Sequence, residues 1–329
     1  MKLILCMLGV VMGEAIEDMV QVVAREPNNP SITTDPYYGK TIGTVDTLAE
    51  DLQMPNEEVR VANSDKVKVK PWSSSAAKYY FPVVGVTYCK DKELLAFNGT
   101  YSRELGPKFH ILKILNHATL DTRAIVAVNT ARKEIILAFR GTHSNTNWVE
   151  NVVFSQTSIN VTPQASVHTG FKNIADAMAP EFIHILKRLL AKWHYKDYDV
   201  VVTGHSLGGA VAQIASIQVH RDLKIGWERV KVITFGQPRV GNLDFARWFN
   251  QQPVMYTRVV NENDLVPHVP PIFTGYMHTH LERYIEKGKS RICNTDSMED
   301  STCSASRLST LTSDAHNDAW YLKNNRLKC

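Results

Sequence analysis

At 329 residues, with 44 % hydrophobic and 21 % charged side chains, the chain has ample material for one large globular domain or two small ones. Its net charge of +4 is unevenly spread: residues 1–70 carry 7 basic and 11 acidic side chains, the remainder 30 and 22. No basic block is interleaved with aromatics, so nucleic-acid binding has no support.

The chain opens Met1-Lys2, runs almost wholly apolar from Leu3 to Gly13 and then reaches Glu14-Ala15. This reads as a secretory signal peptide over residues 1–15, too short to cross a bilayer, and places the protein outside the cell without a transmembrane segment. Residues 16–72 are acidic and weakly patterned, with Pro27, Pro30, Pro36 and Pro55, and close on Lys66, Lys68, Lys70 and Pro71. They are read as a propeptide, or as an N-terminal extension that stays attached. One domain over residues 73–329 is expected to follow. Cys6 falls in the leader, which leaves Cys89, Cys293, Cys303 and Cys329, an even set suited to disulfides in an exported chain. Cys293 and Cys303 can close a small loop, and Cys89 with Cys329 can tie the front of the domain to its last residue. No CxxC pair or His/Cys cluster points to a metal, and no cofactor is expected. Asn98-Gly-Thr and Asn160-Val-Thr are glycosylation sequons.

Within the domain, Ala76 to Val86 is expected to form a helix and loop interrupted at Pro82. Ala124–Val128 and Glu134–Phe139 read as strands paired across a polar turn. Asn147 to Phe154 is short and amphipathic, with Trp148, Val149, Val152 and Phe154 among Asn, Glu and Ser, and composition favours a surface helix packed on the core. Phe171 to Trp193 has the three-to-four spacing of a helix in Phe182, Ile185, Leu186, Leu189 and Trp193, with Pro180 kinking it or starting its second half. Lys231–Phe235 and Tyr256–Val260 add strands. Strands alternating with helices imply an α/β fold, a mostly parallel sheet covered on both faces, with its site at the carboxyl ends of the strands.

Between those elements lies the most informative stretch. Val200-Val201-Val202 runs into Gly204-His205-Ser206-Leu207-Gly208-Gly209 and then into a helical pattern. This is G-x-S-x-G in a strand–turn–helix context, which lifts a serine hydroxyl clear of a sheet and aims helix-start N–H groups beside it. Ser206 is thus a candidate nucleophile. It needs a base, and the base needs an orienting carboxylate. On such folds the acid follows the serine and the histidine comes last. Asp264, just past a hydrophobic strand, is favoured over Glu262. For the base, His268 shares a proline-stiffened loop with Asp264 and is badly placed. His278 and His280 remain candidates, for catalysis or as a metal pair; His316, late and in a polar loop, is favoured by position.

Phe139-Arg-Gly-Thr142, Asn147-Trp-Val, Val167-His-Thr-Gly-Phe171, Gly204-His-Ser-Leu-Gly-Gly209, Phe235-Gly-Gln-Pro-Arg-Val-Gly241, Asn261-Glu-Asn-Asp-Leu-Val-Pro-His-Val-Pro-Pro271 and Gly275-Tyr-Met-His278 occur in that order. Together they resemble the class 3 triacylglycerol lipases, in particular the secreted Rhizomucor/Rhizopus-type fungal lipases, from about Tyr88 to Cys329. The resemblance implies an α/β-hydrolase fold with a lid helix over the active site and a triad of Ser206, Asp264 and His316. It implies an oxyanion hole from Thr142 and the N–H of Leu207, and a lid around Asn147, Trp148, Val149, Val152 and Phe154, in place of the plain surface helix. Cys89–Cys329 and Cys293–Cys303 match disulfide pairs of the family. The implied activity is hydrolysis of triacylglycerols or other lipid esters at an oil–water interface by a secreted monomer. The alternatives are a phospholipase or feruloyl-type esterase of the same fold, and a non-catalytic lipid-binding relative. The chain departs from the family pattern at His280, Tyr284 and around His316, which bears on the shape of the acyl pocket.

Overall fold

A computed structural model of the protein describes residues 71–97, 99–142, 154–294, 297–308 and 310–316. The predicted leader, the propeptide up to residue 70, Asn98, most of the lid stretch and Cys329 lie outside the described residues. The chain divides into two units, residues 1–57 and 58–329, and all described residues belong to the second.

The described elements are helices α1 (Ser74–Gly85), α2 (Asp91–Ala96) and α3 (Thr100–Leu105), then strands β1 (Phe109–His117), β2 (Thr122–Asn129) and β3 (Glu134–Phe139). The short strands β4 (Gln156–Ser158) and β5 (Ser166–His168) pair with each other and lead into helix α4 (Thr169–Leu190). There follow β6 (Asp199–His205), α5 (Leu207–Leu223), β7 (Val230–Phe235), α6 (Leu243–Asn250), β8 (Met255–Asn261), β9 (Glu282–Glu286) and β10 (Lys289–Ile292). Eight strands form one sheet in the order β1-β2-β3-β6-β7-β8-β9-β10. The middle of it, β3 through β9, is parallel, and the predicted β2–β3 hairpin is antiparallel with Val126 opposite Leu137.

The period-2 alternation of the strands sorts their side chains to two apolar layers. Ile135, Leu137 and Phe139 of β3, with Val200 and Val202 of β6, face α4 and α5. Ile136 and Ala138, with Val201, Ile233 and Phe235, face α1. Both faces of the sheet are therefore covered, which explains why its central strands read as unbroken hydrophobic runs. α5 is buried from Leu207 through Val219, and two of its interior amides bond across to neighbours: the Gln213 Oε1 accepts from Gln237 Nε2 at 2.8 Å, and Gln218 Nε2 donates to Asp176 Oδ1 at 2.8 Å.

Three expectations are corrected by packing. α1 runs through Pro82 without interruption. A proline there forfeits one helical hydrogen bond, but Tyr80, Phe81, Val83 and Val84 are all buried, and that burial outweighs the loss. α4 contains Pro180 and ends at Leu190, short of the expected end: Trp193, assigned to its apolar stripe, lies beyond it and is 81 % exposed. Finally, Trp72, placed at the end of the N-terminal extension, belongs to the domain. Its N–H donates to Thr257 Oγ1 at 3.0 Å, its indole N–H to Val232 O at 2.8 Å, and its carbonyl accepts from Arg283 Nη2 at 2.7 Å. The fold begins no later than this residue.

Candidate active site

The carboxyl ends of β3, β6, β7 and β8 converge on one place, and four short segments meet there. At the end of β6 the chain turns into α5 through Ser206, whose φ of 58° and ψ of −133° lie outside the regions open to ordinary L-residues. Such a conformation costs on the order of 1–3 kcal/mol and persists only where its surroundings enforce it. The two flanking glycines supply that enforcement. A Cβ on Gly204 would come within 2.2 Å of Gly208 O, and one on Gly208 within 2.4 Å of Phe139 O, so strand and helix are in backbone contact around the serine. Ser206 N–H is fixed to Phe235 O at the end of β7 at 2.9 Å.

The candidate acid is positioned by the loop after β8. Asp264 N–H donates to Asn261 O at 3.0 Å and its Oδ1 accepts from Val266 N–H at 2.9 Å, a local turn that orients the carboxylate inward. The segment ending at His316 is stitched to the same loop. Leu265 N–H donates to Thr312 O at 3.1 Å, Thr312 N–H to Asn263 O at 2.9 Å, and Asn261 Nδ2 to Ala315 O at 3.1 Å. The result is that His316 Nδ1 lies 2.9 Å from Asp264 Oδ2 and 3.0 Å from Oδ1, with both side chains fully buried. A carboxylate only accepts, so Nδ1 carries the proton and Nε2 is left as a lone-pair site. His316 Nε2 and Ser206 Oγ are both buried and have no hydrogen-bond partner among the described residues. They flank the same turn: Ser206 is bonded to Phe235, and a Cβ on the next residue, Gly236, would lie 2.8 Å from the His316 ring and from Asp264 Oδ2. Here the glycine is required by close approach, at a φ of +54°.

β3 delivers Arg140-Gly141-Thr142 to the same end of the sheet. Gly141 is backed directly by Ser206, whose Cβ would lie 2.9 Å from a Cβ placed on the glycine. Thr142 is half-buried beside it, and Leu207 begins α5, where the first N–H groups of a helix have no partner inside it. Of the predicted lid residues, Phe154 is described and 39 % exposed; Asn147, Trp148, Val149 and Val152 lie outside the described residues. Cys293 and Cys303 are joined, and Cys89 is disulfide-bonded, with Cys329 outside the described residues. Asn160 sits exposed in a turn at φ +57°.

The rival candidates make other contacts. Glu262 accepts from Lys287 N–H at 2.8 Å, away from the site. His278 Nε2 donates to Pro267 O at 2.7 Å, and His280 takes its N–H to Asn250 Oδ1 at 3.1 Å. His268 is buried under a different polar cluster, in which Arg239 grips Glu299 with two bonds of 2.8 and 3.1 Å and caps the carbonyls of His268 and Pro270. Burial, and then the Arg239 charge, lower the His268 pKa to about 4; burial, and then Arg258, push His278 down as well. Burial alone would raise Glu299, but the Arg239 guanidinium outweighs it and holds the carboxyl well below the usual range. From pH 6.5 down to about 4 the unfolded chain binds a proton at residue 268 that the folded chain refuses. Stability is therefore full above 6.5 and is lost as the pH falls toward 4, by about 3 kcal/mol from this residue alone. Urea unfolding at pH 7 and pH 4 checks this: an equal unfolding free energy at both would contradict it.

Two residues of the site went unread in the sequence. His205, inside the serine motif, stacks on the His316 ring with centroids 4.4 Å apart, and Tyr88 bonds to both His205 and Gly141. The signals were a titratable residue within the motif itself and a tyrosine beside Cys89.

Comparison with known proteins finds lipases. Residues 136–274 match the family model described as Lipase (class 3). The chain is 34 % identical to a lipase of Rhizomucor miehei over 69 % of its own length and 63 % of that protein. It is 38 % identical to secreted mono- and diacylglycerol lipase 1 of Fusarium solani over 50 % of its length and 48 % of that protein. The chain thus spans between about half and two thirds of the curated relatives it matches. The structure of a lipase from Rhizopus microsporus var. chinensis superposes with a TM-score of 0.70 at 27 % identity, covering 80 % of this chain and 94 % of that one.

Proposed function

We propose that the chain is a secreted lipase acting on triacylglycerols, of the class 3, Rhizomucor/Rhizopus kind and built on an α/β-hydrolase fold. The observation that carries the proposal is the buried His316–Asp264 pair with a bare Nε2, set beside an equally bare Ser206 Oγ. In this reading His316 takes the proton of Ser206 as Oγ attacks an ester carbonyl, and Asp264 holds the imidazole and stabilises its cation. Thr142 and the Leu207 N–H receive the tetrahedral oxyanion; one such donor typically accounts for ~2.7–4 kcal/mol of transition-state stabilisation. The alcohol leaves with the proton, and water, activated by the same imidazole, hydrolyses the acyl-enzyme.

The stretch from Asn147 to Phe154 is read as a lid that exchanges burial against the domain for burial against lipid. Exposed Phe154 and Phe273 support a lipid-facing rim around it: Ser155 O accepts from Tyr276 Oη at 3.1 Å, which joins the two loops that carry them. Residues 1–15 are assigned to a leader and the stretch up to residue 70 to a propeptide.

A second reading, a lipase confined to mono- and diacylglycerols, is favoured by the name of the Fusarium relative. Hydrolysis of emulsified tri-, di- and monoacylglycerols separates the two. The expected result is triacylglycerol hydrolysis with a rate that jumps as the substrate passes from dissolved to emulsified. Turnover of the partial glycerides alone would favour the second reading, and a rate indifferent to the interface would contradict the lid.

A further inference from the structure

A chain of three hydrogen bonds runs through the site, and the direction of each is fixed by its chemistry. Gly141 N–H can only donate, so Tyr88 Oη accepts from it, at 3.0 Å. The hydroxyl proton of Tyr88 is then available to His205 Nδ1, 2.9 Å away. At the other side of that ring, His205 Nε2 lies 3.0 Å from the carbonyl oxygen of His316, which can only accept. His205 is therefore neutral with its proton on Nε2, and its Nδ1 is the acceptor for Tyr88. The ring is 5 % exposed, lies nearly parallel to that of His316 at 26°, and is flanked edge-on by Phe81. Burial, and then the neighbouring His316, keep it from protonating, so it stays uncharged while the adjacent imidazole becomes a cation. Nothing in the triad itself fixes the main chain of residue 316 or its distance from the turn at Gly141. This chain does both at once.

We propose that Tyr88 and His205 are positioning residues for ester hydrolysis: through Gly141 N–H and the His316 carbonyl they hold the oxyanion-binding turn and the general base in register across Ser206. The inference rests on the reading of Ser206, Asp264 and His316 as the triad. A charged His205 would place two cations face to face, and an apolar ring in its place would keep the stacking while releasing both hydrogen bonds. Tyr88 transmits the constraint to Gly141 and touches no reacting atom.

The test compares Tyr88→Phe, His205→Phe, His205→Gln and the Tyr88→Phe/His205→Phe pair with the wild type on emulsified ester, with rates divided by the active sites titrated with a fluorescent alkylphosphonate. Tyr88→Phe, which removes the hydroxyl's bonds to both Gly141 N–H and His205 Nδ1, is expected to lower kcat about tenfold at unchanged KM. His205→Phe is expected to lose between ten- and a hundredfold. His205→Gln, which keeps a donor and an acceptor, should stay within about threefold of wild type. The pair should be no worse than His205→Phe alone, because one break already severs the chain. Wild-type kcat in His205→Phe, losses that multiply in the pair, or His205→Gln as inactive as Ser206→Ala would each overturn the proposal. If His205→Phe fails to fold, the tenfold loss in Tyr88→Phe decides. A wild-type protein that takes no phosphonate would instead refute the triad on which the inference rests.

Discussion

Ser206→Ala is expected to abolish ester hydrolysis, with kcat reduced on the order of 10⁶-fold, while the protein stays folded and no less stable than the wild type. The first half follows from the loss of the hydroxyl that the proposed base deprotonates. The second follows from the packing: Ser206 Oγ is buried without a hydrogen-bond partner among the described residues, so its removal relieves an unsatisfied polar atom. The strained φ and ψ of the turn are set by Gly204, Gly208 and the backbone bond to Phe235, none of which the substitution touches. Hydrolysis of a soluble p-nitrophenyl ester and a thermal melt check the two halves separately. A variant that melts earlier and retains activity would contradict both.

Asp264→Asn is expected to cost about 10⁴-fold in kcat with little change in KM. The carboxylate dictates which nitrogen of His316 holds the proton: its two oxygens lie 2.9 and 3.0 Å from Nδ1, so Nε2 is free to act as a base. An amide NH₂ in the same place donates to Nδ1 and moves the proton to Nε2, where it blocks the acceptance of the serine proton. The local turn survives, because an asparagine oxygen still accepts from Val266 N–H. Glu262→Gln is the matched control. That side chain bonds to Lys287 N–H instead, and its loss should leave kcat within about threefold of the wild type. A drop confined to tenfold in Asp264→Asn would remove the acid from the mechanism.

The strand–turn–helix corner that carries the proposed nucleophile was legible because its geometry is local. A tight strand–helix corner needs small residues at fixed spacing, and Gly204, Gly208 and the valine run state that requirement in eleven consecutive residues. The sheet was legible for the same reason, since continuous apolar strands report burial on both faces. The setting of the proposed base is not local. Distance along the chain left His278, His280 and His316 in competition, and what selects His316 is the stitching of Thr312 and Ala315 to the loop after β8, a tertiary fact with no sequence period. Pro82 misled in α1, because breaking propensity speaks for an isolated segment whereas burial of a full apolar face decides in the fold. Trp72 was assigned to the extension because the residues before it are polar and proline-rich. Its own size and aromatic character were the better guide, since a tryptophan that finds partners for its indole N–H belongs inside. Tyr88 and His205 were missed because a hydrogen-bond chain between residues 117 positions apart leaves no pattern to read.

The account is tested most directly by exposing the full chain to an alkyl p-nitrophenyl phosphonate and locating the adduct by peptide mass spectrometry. One phosphonyl group per protein, on Ser206, with labelling lost in His316→Ala, is the predicted outcome. An adduct on another side chain, or labelling at the wild-type rate once the imidazole is gone, would contradict it.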